Sequence, residues 1–222
     1  MNTHIAPVEK RETALDIGCG TGRLLGILRR YGNPDWSLTG IEYGLPGGRI
    51  TNKDGIRMYS GLYEDHAFDE APFDLAFAQQ VIEHAYEPER MLAKIHDDLA
   101  PGGFAVLDTP NYQSLDRRLF SAGTWGGYHF PRHMTLFTPD TFGALARKCG
   151  FAVQSVSSLI SPVFWVLSLH NALRKAGAPL SITRHIHFQA AAFLVPATMI
   201  DSLNLLLLRK TSNMRIVIRK QG

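Results

Sequence analysis

Apolar positions recur in two registers along the first two-thirds of the chain. Thr13–Ile17 (TALDI) is a short strand-like run that stops at Gly18. In Gly22–Tyr31 (GRLLGILRRY), Leu24, Leu25, Ile27 and Leu28 recur as one face of a helix requires, and Gly32-Asn33-Pro34 ends it. Ser37–Glu42 reads as a second strand, Ile56–Tyr59 as a third and Phe73–Ala78 as a fourth. Pro88 opens a helix reaching about Leu99, with Met91, Leu92, Ile95 and Leu99 on one side. Pro101-Gly102-Gly103 stops that helix, and Phe104–Leu107 is a fifth strand. Thr138-Pro139 predicts an N-cap followed by proline at the first helical position, with the helix running to Cys149-Gly150. Phe151–Val156 is a sixth strand, and the clean alternation of Met214–Arg219 predicts a last one.

Strands alternating with helices predict an α/β fold, a doubly wound and mostly parallel sheet with helices on both faces. Ligands of such sheets lie outside the carboxyl ends of the strands, near the point where strand order reverses. One domain is expected over residues 1–222. It has a core at 1–158, a Gly-, aromatic- and His-rich lid insertion at 111–137, a helical apolar insertion at 159–210, and the final strand at 214–220.

Composition narrows the class. Of 222 residues, 45% are hydrophobic and 19% charged, which supports a packed core and excludes global disorder. The net charge of +3 is spread over scattered Lys and Arg, so no nucleic-acid partner is expected. Cys19 and Cys149 match no metal-ligand spacing and form no disulfide framework, which favours a reducing compartment and leaves no metal expected. The opening residues MNTHIAPVEKRE lack the apolar core of a signal peptide, so a cytoplasmic location is expected.

The candidate chemistry begins at Leu15-Asp16-Ile17-Gly18-Cys19-Gly20-Thr21-Gly22, between a strand and a helix. Gly18 and Gly20 let the backbone turn tightly and approach a ligand, and the helix start offers free N–H groups. Glu42 ends the second strand, where a carboxylate can accept ribose hydroxyls. A dinucleotide fingerprint wants glycine or alanine at the sixth position, but Arg23 stands there. That disfavours a nicotinamide oxidoreductase.

LDIGCGTG resembles the first motif of class I S-adenosylmethionine-dependent methyltransferases. The resemblance continues through FDLAFAQQVIEH (Phe73–His84), LAPGGFAVLDTPN (Leu99–Asn111) and PRHMTLFT (Pro131–Thr138), then Gly150-Phe151. It is similar to the ubiquinone-biosynthesis-like branch of small-molecule methyltransferases. The resemblance implies a Rossmann-like seven-stranded sheet with an antiparallel last strand, and S-adenosyl-L-methionine as cofactor. Asp16, Gly18, Cys19, Gly20 and Gly22 would form the cofactor turn, with Glu42 and Tyr43 at the ribose. Gly61 and Leu62 would flank the adenine, with Tyr63 or Glu64 reaching its amine, and Gln79 and Gln80 would lie along the methionine end. Two departures stand out. Gly44–Gly55 is Gly-rich where a helix is usual, and only fourteen residues precede the first motif, so no N-terminal cap over the substrate is expected.

His84 follows the fourth strand, and His129 and His133 lie in the lid insertion. A neutral imidazole there could take a proton from the acceptor or orient a loop. Trp125, Tyr128 and Phe130 form either an aromatic wall or a small satellite core. Leu159–Leu169 is too short to span a bilayer, and Ala190–Leu208 carries Pro196, Asp201 and Asn204. This region packs on the sheet or in a homodimer, or it serves as a lid or peripheral contact at the inner face of a membrane, flanked by Arg174-Lys175, Arg184 and Arg209-Lys210. The expected function is methyl transfer to a small-molecule acceptor, lipid-like or envelope-related. The alternative is a catalytically silent nucleotide-binding or membrane-surface module.

Overall fold

The computed structural model describes residues 13–44, 50–51 and 54–221. The N-terminal residues 1–12 and most of the Gly-rich Gly44–Gly55 stretch lie outside the described residues. Strand β1 (Thr13–Ile17) enters helix α1 (Arg23–Tyr31) through the glycine turn, and β2 is Ser37–Glu42. Next come β3 (Ile50–Thr51), β4 (Arg57–Ser60), β5 (Phe73–Gln79), α2 (Pro88–Asp98) and β6 (Leu99–Pro110). The remaining elements are α3 (Leu115–Leu119), α4 (Pro139–Lys148), β7 (Phe151–Leu159) and α5 (Pro162–Lys175). They end with α6 (Leu180–Thr183), α7 (Ala191–Leu207) and β8 (Asn213–Lys220).

The strands form one sheet in the order β3-β4-β2-β1-β5-β6-β8-β7. Strands β4, β2, β1, β5 and β6 run parallel, and β8 lies antiparallel between β6 and β7. All seven expected strands form, the last one antiparallel. The eighth is the two-residue β3, an edge strand antiparallel to β4. The largest boundary difference is at β6, which starts at Leu99. The Pro101-Gly102-Gly103 segment does not end the pairing but enters it as an irregularity, between the Phe73–Leu99 and Leu75–Phe104 partners.

Burial on both faces explains the apolar strands. Leu15 and Ile17 of β1 pack toward Met91, Leu92 and Ile95 of α2 and Phe142 of α4. Ala14 belongs to the opposite layer, with Leu25 of α1 and Leu38 and Met58 from the neighbouring strands. Helix α4 begins as its sequence requires. The Thr141 N–H donates to Thr138 Oγ1 (3.1 Å) and the Thr138 N–H to Thr141 Oγ1 (2.9 Å). Thr138→Ala is therefore expected to cost about 1 kcal/mol. For a chain of this size that lowers the melting midpoint by about 2–4 °C, measurable by circular dichroism.

The two insertions meet each other. Helix α5 packs against α7 and beneath the turn Gly126–Tyr128, where the Gly126 N–H donates to Ser168 Oγ (2.7 Å). A β-carbon on Gly126 would lie 2.6 Å from Leu167 Cβ, so the close approach requires glycine. Val166, Ile186 and Ala197 form a small cluster with Trp165, Leu173 and Phe193. Among the described residues no helix is long and apolar enough to cross a membrane.

Candidate functional site

Strand order reverses between β2-β1 and β5-β6, and the residues just after these strands converge there. The N–H groups of Gly18 and Cys19 donate to the Ile41 carbonyl (2.8 and 3.1 Å), tying the turn to the end of β2. Gly18 has φ +69°, and a β-carbon there would lie 2.5 Å from Val81 Cγ2. Conformation and space both demand glycine. Gly20, at φ +54°, has nothing within 4 Å of where its β-carbon would sit. Its N–H donates to Glu42 Oε2 at 2.9 Å, so the strand-end carboxylate is already bound to the turn.

Two clefts flank the turn and share Gly18. One, of about 290 Å³, is lined by Gly18, Glu42, Tyr43, Gly61, Leu62, Gln80 and His84, among others. The second, of about 390 Å³, is lined by Asp16, Gly18, Cys19, Arg23, Leu24, Ile27 and Gln79. Nine of the eleven expected cofactor residues thus line one cleft or the other. Gly20 and Gly22 belong to the same turn but line neither.

The electrostatics differ along the site. Burial, and then the neighbouring Glu42, pushes the Asp16 carboxyl up to about 7. Burial, followed by Asp16 and Glu42, pushes the Cys19 thiol up to about 12, which makes it a small packing group rather than a nucleophile. The amide of Gln79 donates to Asp108 Oδ2 (3.2 Å) and that of Gln80 to Asn213 Oδ1 (3.0 Å). Gln80 holds φ at +54°, with its N–H on the Asp108 carbonyl (2.8 Å). Tyr63 Oη donates to Asp98 Oδ2 (2.8 Å), so its hydroxyl hydrogen is already engaged and its oxygen is left as an acceptor. Tyr63 and Glu64, the two groups expected to reach an adenine amine, both line the first cleft.

All three singled-out histidines come together. The His84 and His133 ring centroids are 4.8 Å apart, and those of His129 and His133 are 5.0 Å apart. His84 Nδ1 bonds the Arg132 carbonyl (2.9 Å) and His133 Nδ1 the Gly127 carbonyl (2.8 Å). Each Nδ1 therefore carries the hydrogen, and each Nε2 presents a lone pair. Burial, countered by the bond to Gly127, holds the His133 imidazole down at about 4, below the ordinary value expected from sequence. His129 sits in the left-handed region at φ +38° and is also lowered, by burial first and then by Arg132 and His84.

The sequence missed Glu83 as a functional residue. It is fully buried; Oε2 accepts from Thr109 Oγ1 (3.0 Å), and Oε1 has no partner. Burial outweighs its hydrogen bonds and pushes the carboxyl up to about 7. Ligand atoms of Glu83, His84 and His133 lie within 4.8 Å of one another, close enough to accommodate a divalent cation between them. The only signal for this in the sequence was an acidic residue beside His84 at a strand end.

Trp125 belongs to the satellite core. It is buried, its indole N–H donates to Asp116 Oδ2 (2.6 Å), and its ring packs against Phe164. Tyr128 and Phe130 stack on each other at 6.0 Å.

A family profile described as a methyltransferase domain matches residues 4–156, from before the glycine turn to β7. The chain belongs to the class I S-adenosylmethionine-dependent methyltransferases. The chain is 28% identical over 164 residues to a ubiquinone biosynthesis O-methyltransferase of Ruegeria pomeroyi, across 70% of this chain and 66% of the relative. Curated relatives are matched over 46–66% of their own lengths. A Haemonchus contortus phosphoethanolamine N-methyltransferase 2 in complex with S-adenosyl-L-methionine shares the fold, with a TM-score of 0.57 and 16% identity over 98% of this chain and 50% of that one. The [4+2]-cyclase SpnF also shares it, with a TM-score of 0.59 and 16% identity over 96% and 76% of the chains. Membership in the methyltransferase family sets aside the nicotinamide alternative.

Proposed function

We propose that the protein transfers the methyl group of S-adenosylmethionine to an oxygen of a small, lipid-like acceptor. The convergence of Glu83, His84 and His133, of which His84 lines the cleft while the other two are buried, carries the proposal, because a hydroxyl must lose its proton as its oxygen is methylated. The name of the Ruegeria relative, an O-methyltransferase, supports oxygen as the accepting atom. Partly or fully exposed aromatic rings of the lid, Tyr128 and Phe130, support an apolar acceptor.

The residues present suit the cofactor. The space above Gly20 is open, and the carboxylates of Asp16 and Glu42 flank the turn, complementary to a ligand carrying ammonium and sulfonium charge. Asp16 and the Gly18–Gly22 turn would hold the amino-acid end, Glu42 the ribose, and Gly61 and Leu62 the adenine. When bound, the cofactor supplies a methyl carbon already activated by positively charged sulfur. The chain then contributes positioning, which removes translational and rotational entropy from the barrier. Glu83, with a proton affinity near neutrality, accepts the hydroxyl proton, and the Nε2 atoms of His84 and His133 orient the hydroxyl.

The test is transfer of tritiated methyl groups to matched phenolic and amine acceptors. Label in the phenolic ethers is expected; label confined to amines, or none at all, overturns the proposal. Asp16 adds a pH dependence. It attracts an ammonium group only when ionised, so cofactor affinity should fall about tenfold from pH 8 to pH 6. Calorimetry at both pH values checks this, and Asp16→Asn should remove the difference.

A further inference from the structure

Helix α7 is inside out. Its buried positions are Ala197, Asp201 and Asn204, while Met199 is 68% and Leu206 78% exposed. Helices at a protein surface in water turn their polar side outward. Here Asp201 points inward and accepts from the Ser161 N–H (2.6 Å) and from Trp165 Nε1 (3.0 Å). Asn204 Nδ2 donates to the Lys210 carbonyl (2.9 Å). These bonds fix the rotation of the helix and so present Val195, Met199, Ile200, Leu203, Leu206 and Leu207 outward as a stripe.

The charges bordering the stripe have one sign. Residues 159–210 contain five Lys and Arg residues and a single acid, the buried Asp201. Arg209 and Lys210 follow the stripe directly, and Arg184 sits between the exposed Ile182 and Phe188. The ion pairs among the described residues involve none of the five.

We propose that the α6–α7 face is a docking surface for an anionic lipid membrane, lying in the interface rather than crossing it. Apolar side chains would enter the acyl boundary, and Arg184, Arg209 and Lys210 would meet acidic headgroups. A second copy of this chain fits poorly, because a two-fold contact would bring these cations together. The face lies beyond the stretch matched by the methyltransferase profile, which ends at residue 156, so the inference does not depend on methyl transfer. Because α5 underlies the lid turn at Gly126, docking would set the lid beside the bilayer.

Co-sedimentation of the full chain with phosphatidylcholine vesicles, with and without phosphatidylglycerol, tests this. Binding only to the phosphatidylglycerol vesicles is expected, weakened by salt. It should drop by at least about tenfold in Leu203→Asp/Leu206→Asp and in Arg209→Glu/Lys210→Glu. Unchanged S-adenosylhomocysteine affinity and melting midpoint show that the variants are folded; should the chain bind no nucleoside, vesicle binding on this pattern still upholds the docking surface. Equal recovery with both vesicle types, or variants that sediment like the unaltered chain, overturns it. So does a concentration-dependent dimer by light scattering that Leu203→Asp/Leu206→Asp dissolves, because a second copy would then cover the stripe.

Discussion

Replacing Glu42 with alanine is expected to weaken S-adenosylhomocysteine binding about thirty- to a hundredfold, with little change in melting temperature. The carboxylate is only partly buried at the mouth of its cleft and among the described residues makes one bond, to the Gly20 N–H, so its removal leaves the core untouched. Loss of charge-assisted hydrogen bonds to a ribose costs about 2–3 kcal/mol. The same substitution frees the Gly20 amide and loosens the turn that the amino-acid end would occupy. Glu42→Gln keeps an acceptor for Gly20 and is expected to lose less. Calorimetric affinities of Glu42→Ala within threefold of the unaltered chain would contradict the assignment of this residue to the sugar.

The second large effect concerns Glu83. Glu83→Gln is expected to lower kcat by about 10²–10⁴, as removal of a general base does, with cofactor affinity preserved. The pH profile separates Glu83 from its neighbour His133. A base with its carboxyl at about 7 makes the rate rise with pH through neutrality. His133, held at about 4, would give a flat profile over the same range. His133→Ala should therefore reduce the rate yet keep the inflection near 7, whereas Glu83→Gln should abolish it. Stability responds in the opposite sense. The folded carboxyl lies above its ordinary value of 4.5, so the ionised form burdens the fold. That burden grows as pH rises through about 7 and is absent below 4.5. At pH 8, Glu83→Gln should thus melt higher than the unaltered chain while being far less active. A variant that melted lower at pH 8 would count against the buried, unpaired Oε1.

What could be read in the sequence was local. The glycine turn, the Thr138-Pro139 helix start and the alternation of β8 are each specified by neighbours a few residues apart, and each formed where the residues placed it. Features that depend on distant partners were hidden. Tyr63 has the type and spacing for an adenine contact, but Asp98, thirty-five residues away, takes its hydroxyl. Glu83 looked like a companion of His84 until Thr109 and the lid enclosed it. In α7 the run of leucines left packing on the sheet, a homodimer contact and a lid or membrane contact all open. The rotation that turns them outward is set by Ser161 and Trp165, on another element. The extent of β6 was obscured because Pro-Gly-Gly is a helix terminator in isolation and a tolerated irregularity beside β5.

The place of β8 between β6 and β7 bears on how the chain is made. On a ribosome, the parallel strands up to β6 emerge in order and can pair at once, each beside a predecessor or a near neighbour. Strand β7 emerges with no adjacent edge to join, because the strand that links it to the sheet is translated only after both apolar helices. The nascent chain therefore carries an unpaired strand and a greasy hairpin together until β8 is released, and this interval is when chaperone attendance would matter most.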